Sequence, residues 1–287
     1  MDNQSDIDVG MQVPGISDFF DRRLFSLSEI YHENTKIRRT RYGQVFVACE
    51  PQLTTPPAAK LHFAMTHSYK TYHTANSIAL PKDLPPLTQS LEHVIRARRS
   101  VREFSGAPVT LEDLSRMLEL SYGFTEAVAD TAAPKLSRRV VPSAGALYPI
   151  EMYLVALNIE GLEAGLYHYH PKDQLLESLR AEELRSDIES AVLYPEIVSQ
   201  ASVVFLLAAI FQRTRFKYGE RGYRFVLLDS GHIAQNIYLV STALGLGAVS
   251  MGGYVDEDLN RMLDMNGVDE SVVYTVVVGQ PTGSLNG

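Results

Sequence analysis

Hydrophobic positions in the larger, C-terminal part of the chain follow two patterns, helical spacing and continuous runs. Leu91–Arg99 and Leu111–Tyr122 carry apolar residues at helical spacing. Thr110 precedes the second segment and predicts an N-cap, while Gly123 predicts its end. Ser202–Phe211 is an almost continuous apolar run, which predicts a strand that is buried on both faces.

The same criteria predict the other elements of this region. Strands are predicted at Glu151–Asn158, Leu166–His170, Ala248–Met251 and Ser271–Gly279, and helices at Ala181–Leu193, Arg224–Leu244 and residues 256–265. The first two strands are joined across Gly161–Gly165, which predicts a hairpin. Because helices and strands alternate while hairpins are also present, the pattern favours an α+β sandwich over a doubly wound parallel fold.

Residues 1–85 differ from the rest of the chain, because they are rich in His, Tyr, Thr and Pro and show weak periodicity. Tyr42–Cys49 is a candidate for a short strand. Residues 81–86, PKDLPP, predict a linker, since adjacent prolines do not enter a helix interior. We therefore predict an N-terminal extension, residues 1–85, that binds a peptide or a partner, and a catalytic domain, residues 86–287.

Composition narrows the function classes. The 287 residues carry 26 basic and 34 acidic side chains, a net charge of −8, which disfavours general binding to nucleic acid or an anionic membrane. Cys49 is the single cysteine, so neither an internal disulfide nor a cysteine-based zinc site is expected. The single cysteine fits a reduced, cytoplasmic setting. The first ten residues are polar and acidic and do not resemble a signal peptide, which agrees with this setting.

Arg98–Phe104, RRSVREF, places three arginines and a serine within five residues at the end of a helical segment. Guanidinium groups make charge-assisted, often bidentate bonds to phosphate oxygens, and a serine hydroxyl adds a neutral donor. The cluster therefore suits phosphate binding. Basic residues that stabilise the negative end of a helix dipole would produce the same pattern.

Two stretches of small residues predict close backbone approach to a flat ligand. Val141–Glu151, VPSAGALYPIE, leads into a strand and has small side chains at positions 143–145. An ordinary turn before a strand would explain this stretch equally well. Gly245–Tyr254, GLGAVSMGGY, contains a glycine pair at 252–253 whose backbone N–H groups suit a ring nitrogen or oxygen. It is not a dinucleotide-binding fingerprint, because no helix N-terminus directly follows the glycines.

These three stretches, in this order, resemble the FMN-dependent nitroreductase superfamily. The resemblance is closest to its SagB-type branch, which includes oxidases that convert thiazolines and oxazolines in peptides to thiazoles and oxazoles. It covers residues 87–282 and, more weakly, His32–Asn34. It implies a nitroreductase-like three-layer sandwich, with helices flanking a mixed or antiparallel sheet, and an intertwined homodimer with FMN at its interface.

The resemblance also implies roles for individual residues. It implies that the FMN phosphate is bound by Arg98, Arg99, Ser100 and Arg102. It implies that a second group lies along the flavin: Pro142, Ser143, Ala144 and Gly145. A third group would pass the reactive edge of the flavin: Ser250, Met251, Gly252 and Gly253. The second group often comes from the partner subunit. Many members have a basic residue after the last strand, where this chain has Gln280. The arginine cluster is therefore expected to contribute more of the phosphate binding.

Lys217 and Tyr218 resemble the Lys–Tyr pair that azoline oxidases of the SagB type carry near the flavin. Azoline oxidation removes a hydride from one carbon and a proton from its neighbour, and the proton needs a base. A lysine serves only when its amine is neutral, which burial favours; Tyr218 either acts instead or orients Lys217. The alternative is an exposed loop in which Arg215, Glu220 and Arg221 form ion pairs.

The predicted function is thus an FMN-dependent dehydrogenase that oxidises azolines in a peptide or carrier-bound intermediate. Oxygen is the expected electron acceptor, and a cyclodehydratase is an expected partner. The alternatives are an NAD(P)H-dependent nitro or quinone reductase, a non-catalytic scaffold in a peptide-modifying complex, and a protein that binds another phosphate ligand. No metal is expected, because His168 and His170 have no third ligand at suitable spacing.

Overall fold

A computed structural model of the chain describes residues 27–39, 45–47, 69–125 and 138–283. The chain divides into two units, Met1–Glu50 and Pro51–Gly287.

The first unit contains one described helix and one described strand pair. Helix α1 (Leu27–Asn34) precedes strand β1 (Ile37–Arg39), which pairs antiparallel with β2 (Val45–Val47). β2 lies inside the short strand predicted at residues 42–49. Cys49 lies outside the described residues.

The second unit is built on a seven-stranded sheet within residues 69–125 and 138–283. The strands of this unit are β3 (Asn76–Ala79), β4 (Val109–Thr110), β5 (Ile150–Ala156), β6 (Ile159–Glu160), β7 (Gly165–His170), β8 (Leu175–Arg180), β9 (Val203–Ile210), β10 (Gly247–Met251) and β11 (Glu270–Gly279). The order across the sheet is β10-β11-β9-β5-β7-β8-β3, and every neighbouring pair is antiparallel. β4 and β6 form a separate parallel pair.

Helices cover both faces of this sheet. In the described part of the unit they are α2 (Leu91–Ala97), α3 (Leu111–Tyr122), α4 (Arg185–Ala191), α5 (Pro195–Val198), α6 (Gln212–Tyr218), α7 (Gly222–Ala243) and α8 (Asp256–Met262). Thr110 caps α3 as predicted, because its Oγ1 accepts a hydrogen bond from the Asp113 N–H at 3.1 Å. Even the 22-residue α7 lacks the apolar character of a membrane-crossing helix, and so does every other described helix.

Alternate side chains of the central strands enter two separate cores. Leu154 of β5 belongs to one core with Leu118 of α3 and Ile237 of α7. Its neighbour Val155 belongs to the other core with Ile188 of α4. All seven residues of β5 are buried, as expected for a strand covered on both faces. The predicted α+β three-layer sandwich is confirmed.

The structure differs from the sequence prediction at a few elements. α4 begins at Arg185 instead of residue 181, because the preceding Leu184 turns into the core with 1% exposure and non-helical backbone angles. β3 and β8 were not predicted, since polar residues such as Glu177 interrupt their apolar pattern. Lys217 and Tyr218 end helix α6, which the sequence pattern did not indicate.

Part of the predicted N-terminal extension belongs to the main sheet. β3 lies within residues 1–85 and pairs with β8. The two units meet between Glu50 and Pro51, ahead of the linker predicted at residues 81–86. The peptide- or partner-binding role of the extension stays a prediction.

Candidate functional site

The arginine segment leaves α2 and runs beside β10, the strand at one edge of the sheet. Ser100 forms a parallel bridge with Ala248, and the Val101 N–H donates to the Ala248 carbonyl at 2.9 Å. Arg98 is half-buried, while Ser100 and Arg102 are exposed. These three side chains therefore lie at the β10 edge, where a ligand can reach them.

Arg99 differs from its neighbours because its guanidinium turns back onto the helix. Its Nη1 donates to the carbonyls of Arg96, at 2.7 Å, and Arg98, at 2.9 Å. A basic side chain is expected to make such contacts at the C-terminal end of a helix. One arginine of the cluster thus stabilises the end of α2, as the alternative explanation of this motif anticipated.

Tyr238 of α7 joins the arginine segment to β10. Its hydroxyl accepts a hydrogen bond from the Ser250 N–H at 2.7 Å and lies 3.3 Å from the Ser100 Oγ. The Arg98 guanidinium carbon lies 5.3 Å from the centre of the Tyr238 ring, a cation–π contact. Sequence reasoning missed Tyr238, because a tyrosine within the apolar pattern of α7 is expected in the core.

A cavity of about 600 Å³ lies at the same edge of the sheet. Its wall includes Arg102, Glu103, Tyr194 and residues 249–253. The Ser250 Oγ is buried and has no hydrogen-bond partner among the described residues. Leaving a buried polar atom unpaired costs free energy, so this oxygen is available to bond a polar ligand.

The small-residue stretch forms a loop with an unusual backbone. Gly145, Ala146 and Tyr148 have φ angles of 67°, 53° and 44°. Non-glycine residues keep such angles only where other contacts hold them. Ser143 provides these contacts, because its Oγ donates to the Asp229 carboxylate at 2.5 Å and accepts from the Tyr148 N–H at 2.9 Å.

Asp229 of α7 is a second residue that sequence reasoning missed. It is only 5% exposed. Burial raises its pKa to about 6, although the Ser143 hydroxyl, the nearby His232 and the Ala144 N–H favour the charged form. An acidic residue on the apolar face of a helix is uncommon, and this was the signal that could have identified it.

Lys217 and Tyr218 lie directly against this loop. A side chain added at Gly145 would begin 2.7 Å from both the Lys217 Nζ and the Tyr218 hydroxyl, so only glycine leaves room for both groups. The Lys217 Nζ lies 5.3 Å from the Tyr218 ring centre. Tyr218 in turn contacts Phe225 of α7 edge-on, with ring centres 5.0 Å apart. The amine and the hydroxyl therefore converge on the backbone of the loop.

The structure brings the predicted residues together in two groups. The arginine group comprises Arg98, Ser100, Arg102 and residues 250–253; the lysine group comprises residues 142–145, Lys217 and Tyr218. Both groups contact α7, the first through Tyr238 and the second through Asp229. These two residues are nine positions apart, which corresponds to about 13 Å along the helix axis.

His168 and His170 have different partners. Both ring nitrogens of His168 contact carboxylates, Glu151 at 2.9 Å and Glu177 at 2.7 Å. His170 instead lies 3.2 Å from the Thr71 hydroxyl. Among the residues that the structure describes, no cluster of His, Cys, Asp or Glu is suited to hold a metal ion.

Comparison with known families places this fold. The model of the Nitroreductase family matches residues 95–280, more than half of the chain. The chain belongs to the nitroreductase family. The resemblance inferred from the three sequence stretches is thus confirmed, and so is the nitroreductase-like fold.

Three relatives of this nitroreductase-family chain are informative, and the names of two of them refer to peptide processing. MJ1384 of Methanocaldococcus jannaschii, whose name assigns it to the nitroreductases, is 38% identical over 63% of this chain and 87% of its own length. The microcin B17-processing protein McbC of Escherichia coli is 34% identical over 53% of this chain. The trifolitoxin-processing protein TfxB of Rhizobium leguminosarum is 30% identical over 59%. The chain spans 57% of McbC and 47% of TfxB, about half of each.

Solved structures share the fold of this nitroreductase-family chain. A nitroreductase-type protein of Anabaena variabilis superposes with a TM-score of 0.65 at 24% identity, over 91% of this chain and 49% of its own. A chain of the Escherichia coli microcin synthetase McbBCD complex, solved with truncated pro-MccB17 bound, gives a TM-score of 0.55 at 20% identity. This match covers 91% of our chain and 99% of the other.

Proposed function

We propose that this nitroreductase-family chain is an FMN-dependent dehydrogenase of the SagB type, which oxidises azoline rings in a peptide or carrier-bound intermediate. The observation that carries the proposal is the convergence of the Lys217 amine and the Tyr218 hydroxyl on Gly145. The names of McbC and TfxB, both peptide-processing proteins, support a peptide as the substrate. The microcin synthetase complex supports partner proteins, with a cyclodehydratase as the expected one.

The arginine group fits the phosphate and the polar ring edge of FMN. Arg98 and Arg102 offer charge-assisted donors, and Ser100 offers a hydroxyl. In the same cavity wall, the unpartnered Ser250 Oγ and the backbone of residues 252–253 offer polar contacts to a ring. When bound, FMN supplies a two-electron acceptor for the hydride that leaves the azoline.

The residues of the lysine group handle the proton. A carbon next to the hydride-donating carbon must lose a proton to a base held within hydrogen-bond reach. Either the neutral Lys217 amine or the phenolate of Tyr218 takes this proton, and the ring of Tyr218 orients the amine through their 5.3 Å contact. At Gly145 the loop has no side chain that would separate the substrate from these groups.

A second copy of the chain would bring the two groups together. Within one chain their contacts on α7 are about 13 Å apart, and the family resemblance assigns residues 142–145 to the partner subunit. The α7 residues Tyr223, Leu227 and Leu228 are 39%, 42% and 58% exposed, which supports an interface along this helix. Light scattering of the purified protein should therefore give the mass of a dimer.

The proposed reaction is tested with a peptide that contains a thiazoline or an oxazoline. The purified protein should be yellow, and turnover should reduce the peptide mass by two hydrogen atoms. We expect Lys217→Ala to keep its FMN and to lose at least tenfold in turnover, because general acid–base groups contribute about 10²–10⁴-fold. Lys172→Ala, which changes an exposed lysine in the β7–β8 turn, is the control. Full activity in Lys217→Ala would transfer the role of base to Tyr218, and Tyr218→Phe would then lose activity.

A second candidate is a nitro or quinone reductase that uses NAD(P)H. The relation to MJ1384, which covers 87% of that protein, favours it. Rapid bleaching of the bound flavin by NADH, with no mass loss in the azoline peptide, would identify this reaction. A colourless protein with no releasable FMN would instead indicate a scaffold without catalytic function.

A further inference from the structure

Four charged side chains form a continuous buried chain across the sheet and into α6. Glu177 of β8 contacts the Nδ1 of His168 at 2.7 Å, and the Nε2 of His168 contacts Glu151 of β5 at 2.9 Å. The other oxygen of Glu151 accepts from the Nη2 of Arg213 at 2.6 Å. The exposed fractions of these side chains lie between 0% and 6%. We call this set the buried charge chain.

The charges of the buried charge chain balance when His168 is protonated. Burial alone would lower the pKa of His168, but hydrogen bonds to Glu151 and Glu177 outweigh it and raise that pKa. Burial alone would raise the pKa of Glu151, but Arg213 and His168 outweigh it and hold that pKa well below its usual range. Two carboxylates then face an imidazolium and a guanidinium, so each of these four groups has an opposite charge beside it.

The buried charge chain ends at the two segments that carry the lysine group, α6 and the loop at residues 143–148. Arg213 precedes Lys217 by four residues on α6, so the two side chains leave the same face of the helix one turn apart. The Nη1 of Arg213 also donates to the Tyr148 carbonyl at 3.2 Å, in the loop that contains Gly145. One guanidinium, held by Glu151, therefore links the helix that carries Lys217 to the loop that faces it.

Glu177 has no such link. Its second oxygen accepts from the Tyr72 N–H at 2.9 Å, and none of its hydrogen bonds or ion pairs within the described residues reaches α6 or the loop. Glu151 also accepts a backbone hydrogen bond, from the Lys70 N–H at 2.7 Å. The two glutamates are thus nearly equivalent in burial and partners, except that only Glu151 holds Arg213.

We propose that Glu151 and Arg213 are positioning residues for the reaction: through Arg213, Glu151 keeps α6 and the loop at residues 143–148 at the spacing that Lys217 and Tyr218 require. This inference rests on the proposed function for its catalytic consequence. A small displacement of a reacting group can cost up to about 10²-fold in rate. The bond between Glu151 and Arg213 therefore matters for turnover as well as for folding.

The matched variants Glu151→Gln and Glu177→Gln test this proposal. Either glutamine keeps the shape of the side chain, accepts the backbone N–H, and donates its amide to a neutral His168. Each variant removes one carboxylate and the imidazolium charge together, so the net charge of the four residues is unchanged. Glu151→Gln also takes from Arg213 the carboxylate that it pairs with, whereas Glu177→Gln leaves that ion pair in place. Urea unfolding of both variants establishes that they fold and how much stability each has lost.

We expect Glu151→Gln to lower kcat about tenfold with KM and FMN affinity unchanged, whereas Glu177→Gln stays within about twofold of the wild type. A second readout needs no substrate. The lysines of the protein are methylated with ¹³C, and NMR then records the ¹³C signal of Lys217. This signal is assigned by its absence from the spectrum of Lys217→Arg. This signal should move in Glu151→Gln and stay in Glu177→Gln. Equal shifts in both variants, or none in either, would overturn the positioning role. Failure of the wild type to oxidise azolines would refute the proposed function alone, because the Lys217 signal still decides the positioning role.

Discussion

The arginine group and the lysine group are held in opposite ways. The arginine group lies at the β10 edge of the sheet with largely exposed side chains, and Tyr238 contacts both the Ser100 hydroxyl and the Arg98 guanidinium. The lysine group rests on buried contacts, from Asp229 through Ser143 and from Glu151 through Arg213. The first arrangement leaves charged donors accessible to a ligand, while the second holds the loop and the helix that carry the group, although the Lys217 side chain itself is exposed.

The difference shows what each group has to achieve. Phosphate binding tolerates some freedom, because guanidinium groups can adjust to the oxygens they meet. Proton transfer requires a base within hydrogen-bond reach of one carbon, so its position must be constrained. α7 contacts the two groups through different residues, Tyr238 and Asp229. Variants that weaken one group should therefore leave the other unaffected.

The largest effect is expected from the double variant Arg98→Ala/Arg102→Ala. Each charge-assisted hydrogen bond contributes about 1.5–3 kcal/mol, so the loss of two should weaken FMN binding by roughly 10²–10⁴-fold. Titration of FMN fluorescence measures this affinity. Arg180→Ala is the control, since Arg180 lies on β8, far from β10 in the strand order, and pairs with Glu182. Unchanged affinity in the double variant would mean that the phosphate binds elsewhere.

A smaller effect, confined to the lysine group, is expected from Gly145→Ala. The new Cβ would displace the Lys217 Nζ and the Tyr218 hydroxyl, so azoline turnover should fall about tenfold or more while FMN binding is retained. Gly161→Ala is the matched control: its φ of +83° imposes a similar backbone strain, of about 1–2 kcal/mol, but its nearest contact, Leu111, is 4.0 Å away. Equal turnover in the two variants would show that the Gly145 contact has no role in catalysis.

The smallest effect concerns the support of the loop and its dependence on pH. Because folding raises the pKa of Asp229 to about 6, the contribution of this group to stability is present below its unfolded pKa, about 4, and is lost as pH rises through 6. Asp229→Asn cannot ionise, so between pH 5 and pH 7 it should gain about 1 kcal/mol in unfolding free energy relative to the wild type. Urea unfolding at several pH values measures this. The exposed Asp187→Asn should show no such trend, and a flat difference for Asp229→Asn would contradict the assigned ionisation.

Much of the fold followed from local patterns, and the exceptions have physical reasons. The N-cap at Thr110 and the buried run of β9 are recorded in a few neighbouring residues, which is why they were predicted. β8 was missed because Glu177 faces inward there, and its charge is matched by His168 on the neighbouring strand β7. A buried charge breaks the apolar pattern, and its partner is not visible along the chain.

The residues of the candidate site also divide into those that local patterns identified and those that they missed. The arginine, glycine and Lys–Tyr motifs were found because each lies within a short stretch. Tyr238 and Asp229 were missed because their importance depends on Ser250 and Ser143, which α7 approaches only in the folded chain.

The sequence by itself determined most of the helices and strands of the main sheet, the family, and the residue types suited to phosphate binding and proton transfer. These features depend on spacing over a few residues, where hydrophobic periodicity and caps act. Only the tertiary structure decided that Gly145 faces Lys217, 72 positions away, and that Glu151 holds Arg213. Such pairs form because antiparallel strands and packed helices bring distant segments into contact, and buried charges then require partners that no local pattern specifies.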